Sequence, residues 1–233
     1  MKTSMFLVVL LALFTGSSPA QPLYNVVPIL APASFDVYTV VGFDINIRGE
    51  VVGAYGFHRS DGVTAFGAFI YADGQGITDI SVAGKRSTMA TGMNDAGQIA
   101  ISTSEEDGTW REMYRYTPGS GLQPLGTLGG VESETQGINA SGQITGYSDV
   151  PGQSNLAFRD TPGSGLESLG SLYGGGSSGY DINDRGWVVG AGDGQNAFLY
   201  RDDVGMTYIT PGVAYGINNA GTVVGAANQP GGV

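Results

Sequence analysis

The chain has 233 residues and a formal net charge of −11, although only 13% of its residues are charged. This acidity argues against a nucleic-acid partner and against anionic membrane surfaces, since both select basic patches. Forty glycines and ten prolines predict frequent turns, while 41% hydrophobic residues are enough for a core that must hold without disulfides, because the chain has no cysteine.

The first twenty residues have the features of a cleaved signal peptide. Lys2 supplies a positive charge, an apolar run occupies residues 5–14, and Ser18 and Ala20 place small residues at a cleavage site. A transmembrane helix needs about 20 apolar residues, so this run is too short to be an anchor. The sequence therefore predicts a signal peptide at 1–20 and one mature domain at 21–233, which is secreted or held at the cell surface and has no membrane span.

A fivefold repeat organises the remainder of the chain. The phrase "GINASGQITG" (137–146) recurs in variants, each with an apolar residue, Asn, two variable residues and Gly. Successive copies of the Asn lie 35 to 48 residues apart, a period typical of propellers and solenoids. The repeated positions are Asn46 and Gly49, Asn94 and Gly97, Asn139 and Gly142, Asn183 and Gly186, and Asn218 and Gly221.

Each repeat contains four strand-like segments. In one copy they are residues 165–172, 178–183, 186–191 and 196–201, bounded by Gly, Asp, Ser or Asn. The mature chain lacks any ten-residue stretch with apolar residues at helical spacing, so the predicted class is all-β. Four strands in about 44 residues match the size of a propeller blade.

Counting these segments along the chain predicts a β-propeller-like domain of about five units, each with three to four antiparallel strands. "YNVVPIL" (24–30) matches the first strand of a unit, and "GTVVGA" (221–226) the third strand of the last one. The count gives four complete units and one three-stranded unit. If the strand order runs outward from the axis, the missing strand is the outermost one. The alternatives are an open array or a chain shortened relative to longer relatives.

The Asn-x-x-Gly segments are predicted to be structural turns rather than copies of a binding site. A type I turn favours Asn at its first position and Gly at its fourth, and Gly accepts the positive φ of a bulged hairpin. The two central residues differ in every copy, whereas a ligand site would restrict them. These positions are therefore assigned to stability.

Two stretches resemble the HAF-repeat family of probable extracellular bacterial proteins. They are "PLGTLGG" (124–130) before "GINASGQITG", and "AFLYRDDVGMTYI" (197–209) before "GINNAGTVVG". The resemblance covers nearly the whole mature chain and implies export and a repeat architecture, but no reaction, because the family has no established catalytic residues. The His of the family's His-Ala-Phe is replaced by Gly67, Leu156 and Asn196, and Glu112 begins the corresponding triplet of the second copy.

No catalytic, cofactor or metal-binding residue is assigned from the sequence. "GGSSG" (175–179) has the pattern of a nucleophile elbow, but a strand is predicted after it instead of a helix, and the sole histidine, His58, is predicted to lie in a loop. One His and no Cys leave zinc and copper without ligands, and the Asp-Gly pairs at 73, 107 and 193 lack the spacing of a calcium loop.

The favoured function is a non-catalytic binding, interaction or surface-structural module, with a polysaccharide or another extracellular protein as partner and no cofactor. Its specificity is placed in segments that differ between copies on a constant framework, which are 54–66, 102–111, 129–136, 147–155 and 173–178. The alternative is a glycoside hydrolase or lyase that uses two loop carboxylates at a defined separation. The candidates, all predicted to lie in loops, are Glu105, Glu106, Asp107, Glu132, Glu134, Asp149 and Asp193.

Overall fold

The computed structural model describes residues 27–31 and 36–228, so the predicted signal peptide lies outside the described residues. This part of the chain contains seventeen β-strands and no helix. It accordingly has no helix long and apolar enough to cross a membrane. The prediction of an all-β, repeat-built domain is confirmed.

The strands form consecutive antiparallel sheets, here called units 1 to 5 in chain order. Unit 1 contains β1 (Val37–Ile45), β2 (Val51–His58), β3 (Thr64–Ala72) and β4 (Gly76–Asp79), and unit 2 contains β5 (Ser87–Met93), β6 (Ile99–Ser104), β7 (Trp110–Thr117) and β8 (Gly121–Pro124). Unit 3 contains β9 (Ser133–Ile138), β10 (Ile144–Ser148), β11 (Leu156–Thr161) and β12 (Gly165–Gly170). Unit 4 begins with β13 (Ser177–Ile182), β14 (Val188–Gly192) and β15 (Asn196–Arg201).

The long strand β16 (Gly205–Ile217) belongs to two units. Its residues 205–211 pair with β15 and complete unit 4, whereas residues 212–217 pair with β17 (Val223–Ala227) and form unit 5. The first strand of each unit contacts the first strand of the next, which places these strands innermost, around the axis of the propeller. The first strand of a unit therefore lies nearest the axis, but segment 165–172, which the sequence placed first, is not such a strand.

Neighbouring units pack face to face through small apolar clusters. Between units 3 and 4, for example, Ala157 and Leu169 pack against Ile182, Val188 and Phe198. Between units 2 and 3, Ala100 and Met113 likewise pack against Ile144 and Phe158. The hydrophobic core is therefore a series of interfaces between sheets, and each unit is stabilised by its neighbours.

The unit boundaries differ from the sequence-based prediction by one strand. Segment 165–172, which was predicted to open a unit, forms the outermost strand β12 of unit 3, and the next unit opens with β13. The fifth unit consequently has two described strands instead of three. A periodic sequence shows how long the repeat is, but it does not show which strand begins a sheet.

The prediction of a first strand at residues 24–30 is also wrong for the described part of that segment. Residues 27–31 lie in no strand, and residues 24–26 are outside the described residues. Ile29 packs instead against the cluster of Val51, Tyr55 and Phe69 in unit 1. The segment therefore contributes to the burial of one face of unit 1.

All five Asn-x-x-Gly segments connect the first and second strands of a unit. Their glycines have φ between 75° and 88°, and each Gly N–H donates to the carbonyl of its Asn. In the third copy, Asn139 Oδ1 accepts the N–H of Ser141 at 3.1 Å and of Gln143 at 2.9 Å. Each Asn side chain thus replaces missing backbone partners inside a tight hairpin.

Three of these asparagines also join neighbouring units. The Nδ2 of Asn94 donates to the carbonyl of Asn139 at 3.0 Å, Asn139 to Asn183 at 2.9 Å, and Asn183 to Asn218 at 3.1 Å. The partner lies one repeat away in sequence, so local turn chemistry did not predict it. The turn and the interface between units consequently depend on the same side chain.

Replacing Asn139 with Ala should lower the free energy of unfolding by about 2 kcal/mol, since a turn bond and an inter-unit bond are each worth about 1 kcal/mol. Asn218→Ala is the control, because Asn218 Oδ1 makes the same two turn bonds but its Nδ2 has no acceptor among the described residues. Asn139 Nδ2 additionally donates to Gln143 Oε1 at 2.8 Å. The control should cost about 1 kcal/mol. Urea unfolding measures both, and equal losses would show that the inter-unit bond contributes nothing.

Candidate functional site

A carboxyl group and a phenol face each other near the axis, on the side of unit 3 that packs against unit 4. Glu134 in β9 and Tyr147 in β10 are directly paired across the two strands. Their side chains therefore lie on the same face of the sheet, and Tyr147 Oη donates to Glu134 Oε2 at 3.1 Å. Tyr180, in the innermost strand of unit 4, is within electrostatic range of Glu134. These three residues are called the axial site.

The environment of the axial site favours the protonated form of each group. Burial raises the pKa of Glu134, and the hydrogen bond from Tyr147 lowers it only in part. Burial and the charge of Glu134 raise the pKa of the Tyr147 phenol well above its ordinary value. Burial, Tyr215 and Glu134 also raise the pKa of Tyr180. The site thus combines a carboxyl group that holds its proton closer to neutral pH with two phenols that stay un-ionised.

A cavity of about 360 Å³ lies between units 4 and 5, and Tyr180 is part of its wall. Other lining residues are Asn155, Ser178, Asp193, Gln195 and Val213. The repeat explains this space, because Ser178 and Ala191 occupy the positions in unit 4 that Glu134 and Tyr147 occupy in unit 3. Small side chains at these two positions leave room for a small ligand beside Tyr180.

A β-bulge places Tyr180 in the axial site. Every innermost strand has a bulge three residues before its Asn, and in β13 the bulge falls between Gly179 and Asp181. The bulged residues are Phe43, Thr91, Gln136, Tyr180 and Tyr215. The Tyr180 and Tyr215 rings are 6.0 Å apart between centroids. Bulges redirect side chains out of the regular ladder. The side chains at these five positions differ between units, so they vary the chemical groups near the axis.

Two further carboxylates near the axis serve the framework. Asp44 accepts the N–H groups of Ile45 and Met93, both at 2.8 Å, and Asp181 accepts those of Ile182 and Ile217, also at 2.8 Å. Burial raises the pKa of both carboxyls, these backbone hydrogen bonds oppose that effect, and the charge of Asp44 contributes to the raised pKa of Asp181. Each carboxylate therefore joins one innermost strand to the next.

Most of the carboxylates predicted from the sequence already have structural partners. Glu105 pairs with Lys85 at 2.6 Å, Glu106 pairs with Arg59 at 2.7 Å, and Asp107 accepts the N–H of Thr109 at 2.9 Å. Asp149 accepts the N–H of Glu132 at 3.2 Å, while Asp193 accepts those of Tyr173 at 3.0 Å and Gly175 at 2.6 Å.

The prediction that Glu134 lies in a loop is wrong, because it is the second residue of β9. The predicted variable segments also overlap strands: 54–58 lie in β2, and 133–136 lie in β9. Glycine and acidic residues beside the strands made these strand ends look like loops. Ser133 and Thr135, on either side of Glu134, are fully buried, as alternate residues of a strand are. Both are polar, so the sequence shows no apolar alternation that would have placed Glu134 on a strand.

The other catalytic-looking residues have structural surroundings. His58 is the last residue of β2 rather than a loop residue, and its ring stacks on Tyr38 at 4.9 Å. In "GGSSG", Ser177 Oγ donates to the carbonyl of Gly170 at 2.5 Å and accepts the N–H of Ala157 at 2.9 Å. Over residues 27–31 and 36–228, no three His, Asp or Glu side chains are grouped so as to hold a metal ion.

Comparison with solved structures identifies proteins that are similar in fold. TolB from Acinetobacter baumannii is similar with a TM-score of 0.53 and 16% identity, over 80% of this chain and 46% of that one. XC5397 from Xanthomonas campestris, a gluconolactonase, is similar with a TM-score of 0.43 and 16% identity, over 86% of this chain and 72% of that one. The chain thus spans about half the length of TolB. No protein-family model and no curated protein matches it.

The sequence-based prediction of function requires correction. It favoured a non-catalytic module on the repeat architecture alone, and the fold that the chain shares with TolB does not support that preference. Variable segments on a constant framework occur in catalytic and non-catalytic propellers alike, so that pattern does not separate the two. The alternative of a glycosidase using loop carboxylates loses its main candidates, since Glu105 and Glu106 are held in ion pairs.

Proposed function

We propose that the protein is an exported enzyme that hydrolyses a small, uncharged ester or lactone at the axial site. The observation that carries this proposal is the Glu134 carboxyl, which is hydrogen-bonded to Tyr147 and near Tyr180. Of these three residues, Tyr180 lines the cavity of about 360 Å³. An uncharged substrate is favoured because the protein is strongly acidic and the residues around the site supply no cation to hold an anion.

The groups of the axial site match the requirements of this reaction. As a carboxylate, Glu134 takes a proton from water while the water oxygen attacks the carbonyl carbon of the ester. The un-ionised Tyr180 hydroxyl donates a hydrogen bond to the oxygen that gains negative charge. The tetrahedral intermediate then expels the alkoxide, which receives the proton from Glu134. Tyr147 holds the carboxyl group in place throughout.

Replacing Glu134 with Gln should lower kcat by about 100-fold or more, because Gln keeps the shape of the side chain but cannot accept a proton. Glu132→Gln is the matched control, since Glu132 is a nearby acid outside the hydrogen-bonded pair. Hydrolysis of p-nitrophenyl acetate and of a six-membered lactone, each corrected for the buffer reaction, measures the effect. Full turnover by Glu134→Gln, or no hydrolysis of either substrate by the unmodified protein, would contradict the proposal.

Export is part of the same proposal. It rests on the leader-like residues 1–20 and on the resemblance to the HAF-repeat family of extracellular proteins. The fold similarity to TolB is compatible with an exported protein. N-terminal sequencing of exported material tests the cleavage, with Gln21 as the expected first residue and an intact Met1 as the contrary result.

A further inference from the structure

Two residues in the wall of the cavity beside Tyr180 have a backbone conformation that favours glycine. Asp193 has a φ of 48° and Gln195 a φ of 74°, and no other residue except glycine has a positive φ in the part of the chain that the structure describes. Both lie in the loop between β14 and β15, and both line the cavity. Asp tolerates this conformation, whereas for Gln it is strained, and such strain is concentrated at binding and catalytic sites.

Loops with the same sequence pattern in two other units avoid the strain. The pattern Asp-Gly-x occurs at residues 61–63, 107–109 and 193–195. In unit 2, Asp107 Oδ1 accepts the N–H of Thr109 at 2.9 Å, and the positive φ falls on Gly108. Unit 1 has the same arrangement. The strain at Gln195 is therefore specific to unit 4 and is not a requirement of the Asp-Gly turn.

Hydrogen bonds from outside the loop hold it in this conformation. The Asp193 carboxylate accepts the N–H groups of Tyr173 and Gly175, at 3.0 Å and 2.6 Å. The carbonyl of Gln195 accepts the N–H of Gly212 at 2.8 Å. The backbone at Gln195 is thus fixed by its neighbours, while its side-chain amide has no hydrogen-bond partner among the described residues.

The side chains around the cavity suit a hydroxyl group. The Gln195 amide offers both a donor and an acceptor, and Asp193 offers a carboxylate. Two further lining side chains are bonded to each other, with Asn155 Nδ2 donating to Ser178 Oγ at 3.0 Å. The described residues that line the cavity include no Lys or Arg. A hydroxyl group is uncharged and can accept from the amide while it donates to the carboxylate.

We propose that Gln195 is a specificity-determining residue that binds a hydroxyl group of the substrate, so that the preferred substrate is a hydroxylated ester or lactone. This inference rests on the proposed hydrolysis at Glu134 and adds the recognition of the substrate. Gln195 Nε2 donates to the hydroxyl oxygen, and the hydroxyl donates to the Asp193 carboxylate. The strained loop fixes the backbone at Gln195 before the substrate arrives, which reduces the entropy lost on binding.

The direct test compares γ-butyrolactone with α-hydroxy-γ-butyrolactone, which differ by one hydroxyl group. The unmodified protein should hydrolyse the hydroxylated lactone with a kcat/KM about 5- to 10-fold higher, as expected for one additional hydrogen bond. Gln195→Gly should remove this preference through a rise in KM, with kcat changed by less than about twofold. Hydrolysis of both lactones with equal kcat/KM, or a preference that survives Gln195→Gly, would overturn the inference and leave the proposed hydrolysis standing.

Thermal unfolding of Gln195→Gly separates a binding role from a structural one. Glycine adopts a positive φ without strain, so the melting temperature should rise by about 2 °C although the preference between lactones is lost. Gln75→Gly is the matched control, because Gln75 is an exposed turn residue of unit 1 whose φ is not positive. It should melt slightly lower and keep the preference. A lower melting temperature for Gln195→Gly would overturn the inference, because the residue would then serve the fold.

Binding measured without turnover distinguishes failure of this inference from failure of the proposed function. In ligand-observed NMR titrations of Glu134→Gln, the Kd should be about 5- to 10-fold lower for α-hydroxy-γ-butyrolactone than for γ-butyrolactone. The additional replacement Gln195→Gly should make the two Kd values equal. That result without any hydrolysis by the unmodified protein would refute the hydrolase and retain the role of Gln195. Equal Kd values before the replacement would refute the role of Gln195 whether or not hydrolysis occurs.

Discussion

Replacing Asp160 with Asn should lower the free energy of unfolding by about 3–5 kcal/mol. Asp160 in unit 3 and Arg115 in unit 2 form an ion pair whose side chains are 4% and 3% exposed. Arg115 Nε also donates to the carbonyl of Gly142 at 2.9 Å, which ties the pair to a repeat turn. Removing the carboxylate charge leaves a buried guanidinium without a counter-charge, and this is the costly outcome for an ion pair.

Urea unfolding at neutral pH measures this loss, and Asp202→Asn is the control. Asp202 pairs with Arg159 at 2.8 Å, but its side chain is 64% exposed, so the loss should stay below about 1 kcal/mol. The double replacement Arg115→Met/Asp160→Leu should recover most of the stability, since neither charge then remains buried. A loss at Asp160→Asn no larger than that of the control would mean that water reaches the pair.

Replacing Gly146 with Ala should cost about 3 kcal/mol or more. A Cβ at this position would lie 1.9 Å from the carbonyl oxygen of Glu134. Gly53, Gly190 and Gly225 meet the same contact in units 1, 4 and 5, whereas unit 2 has the fully buried Ile101 at this position. Since a backbone atom cannot rotate away as a side chain can, the strands must separate.

The matched control for Gly146→Ala is Gly92→Ala. Its Cβ would come no closer than 3.4 Å to another atom, the Ile138 Cγ2, so its cost should stay near that of an ordinary substitution, about 1 kcal/mol. Thermal unfolding measures both variants. Because the contact at Gly146 moves Glu134, hydrolysis by any folded Gly146→Ala protein should fall as well. Equal stability of the two variants would show that β9 and β10 accommodate a Cβ at position 146.

Local chemistry made much of the fold predictable. Asn139 and Gly142 define a turn through bonds that span four residues, and alternating apolar segments on either side define its strands. The partner of the Asn139 amide was not predictable in this way, since Asn183 lies in the next unit. The boundary between units was ambiguous for a similar reason. A tight turn joins β11 to β12, and a repeated sequence does not show which strand begins a unit.

The axial site was harder to predict than the fold. Glu134 is one of seven carboxylates named from the sequence, and no local pattern sets it apart from Glu132, two residues earlier. Its distinction comes from the cross-strand pairing with Tyr147 and from burial between two units, and both depend on tertiary structure. The reason for the cavity beside Tyr180 likewise becomes visible only when unit 4 is compared with unit 3, residue by residue.

The central claim, that Glu134 is an acid–base group tuned by burial, is tested most directly by following its side-chain carboxyl carbon by NMR as the pH changes. The resonance is identified by its absence in Glu134→Gln. Since the carboxylate is the active form, hydrolysis should be lost as pH falls through the raised pKa of Glu134. We expect a titration midpoint above the ordinary value of 4.5, and coincident with the acid limb of the kcat profile. A midpoint at or below 4.5, or one that differs from the kinetic limb, would contradict the account.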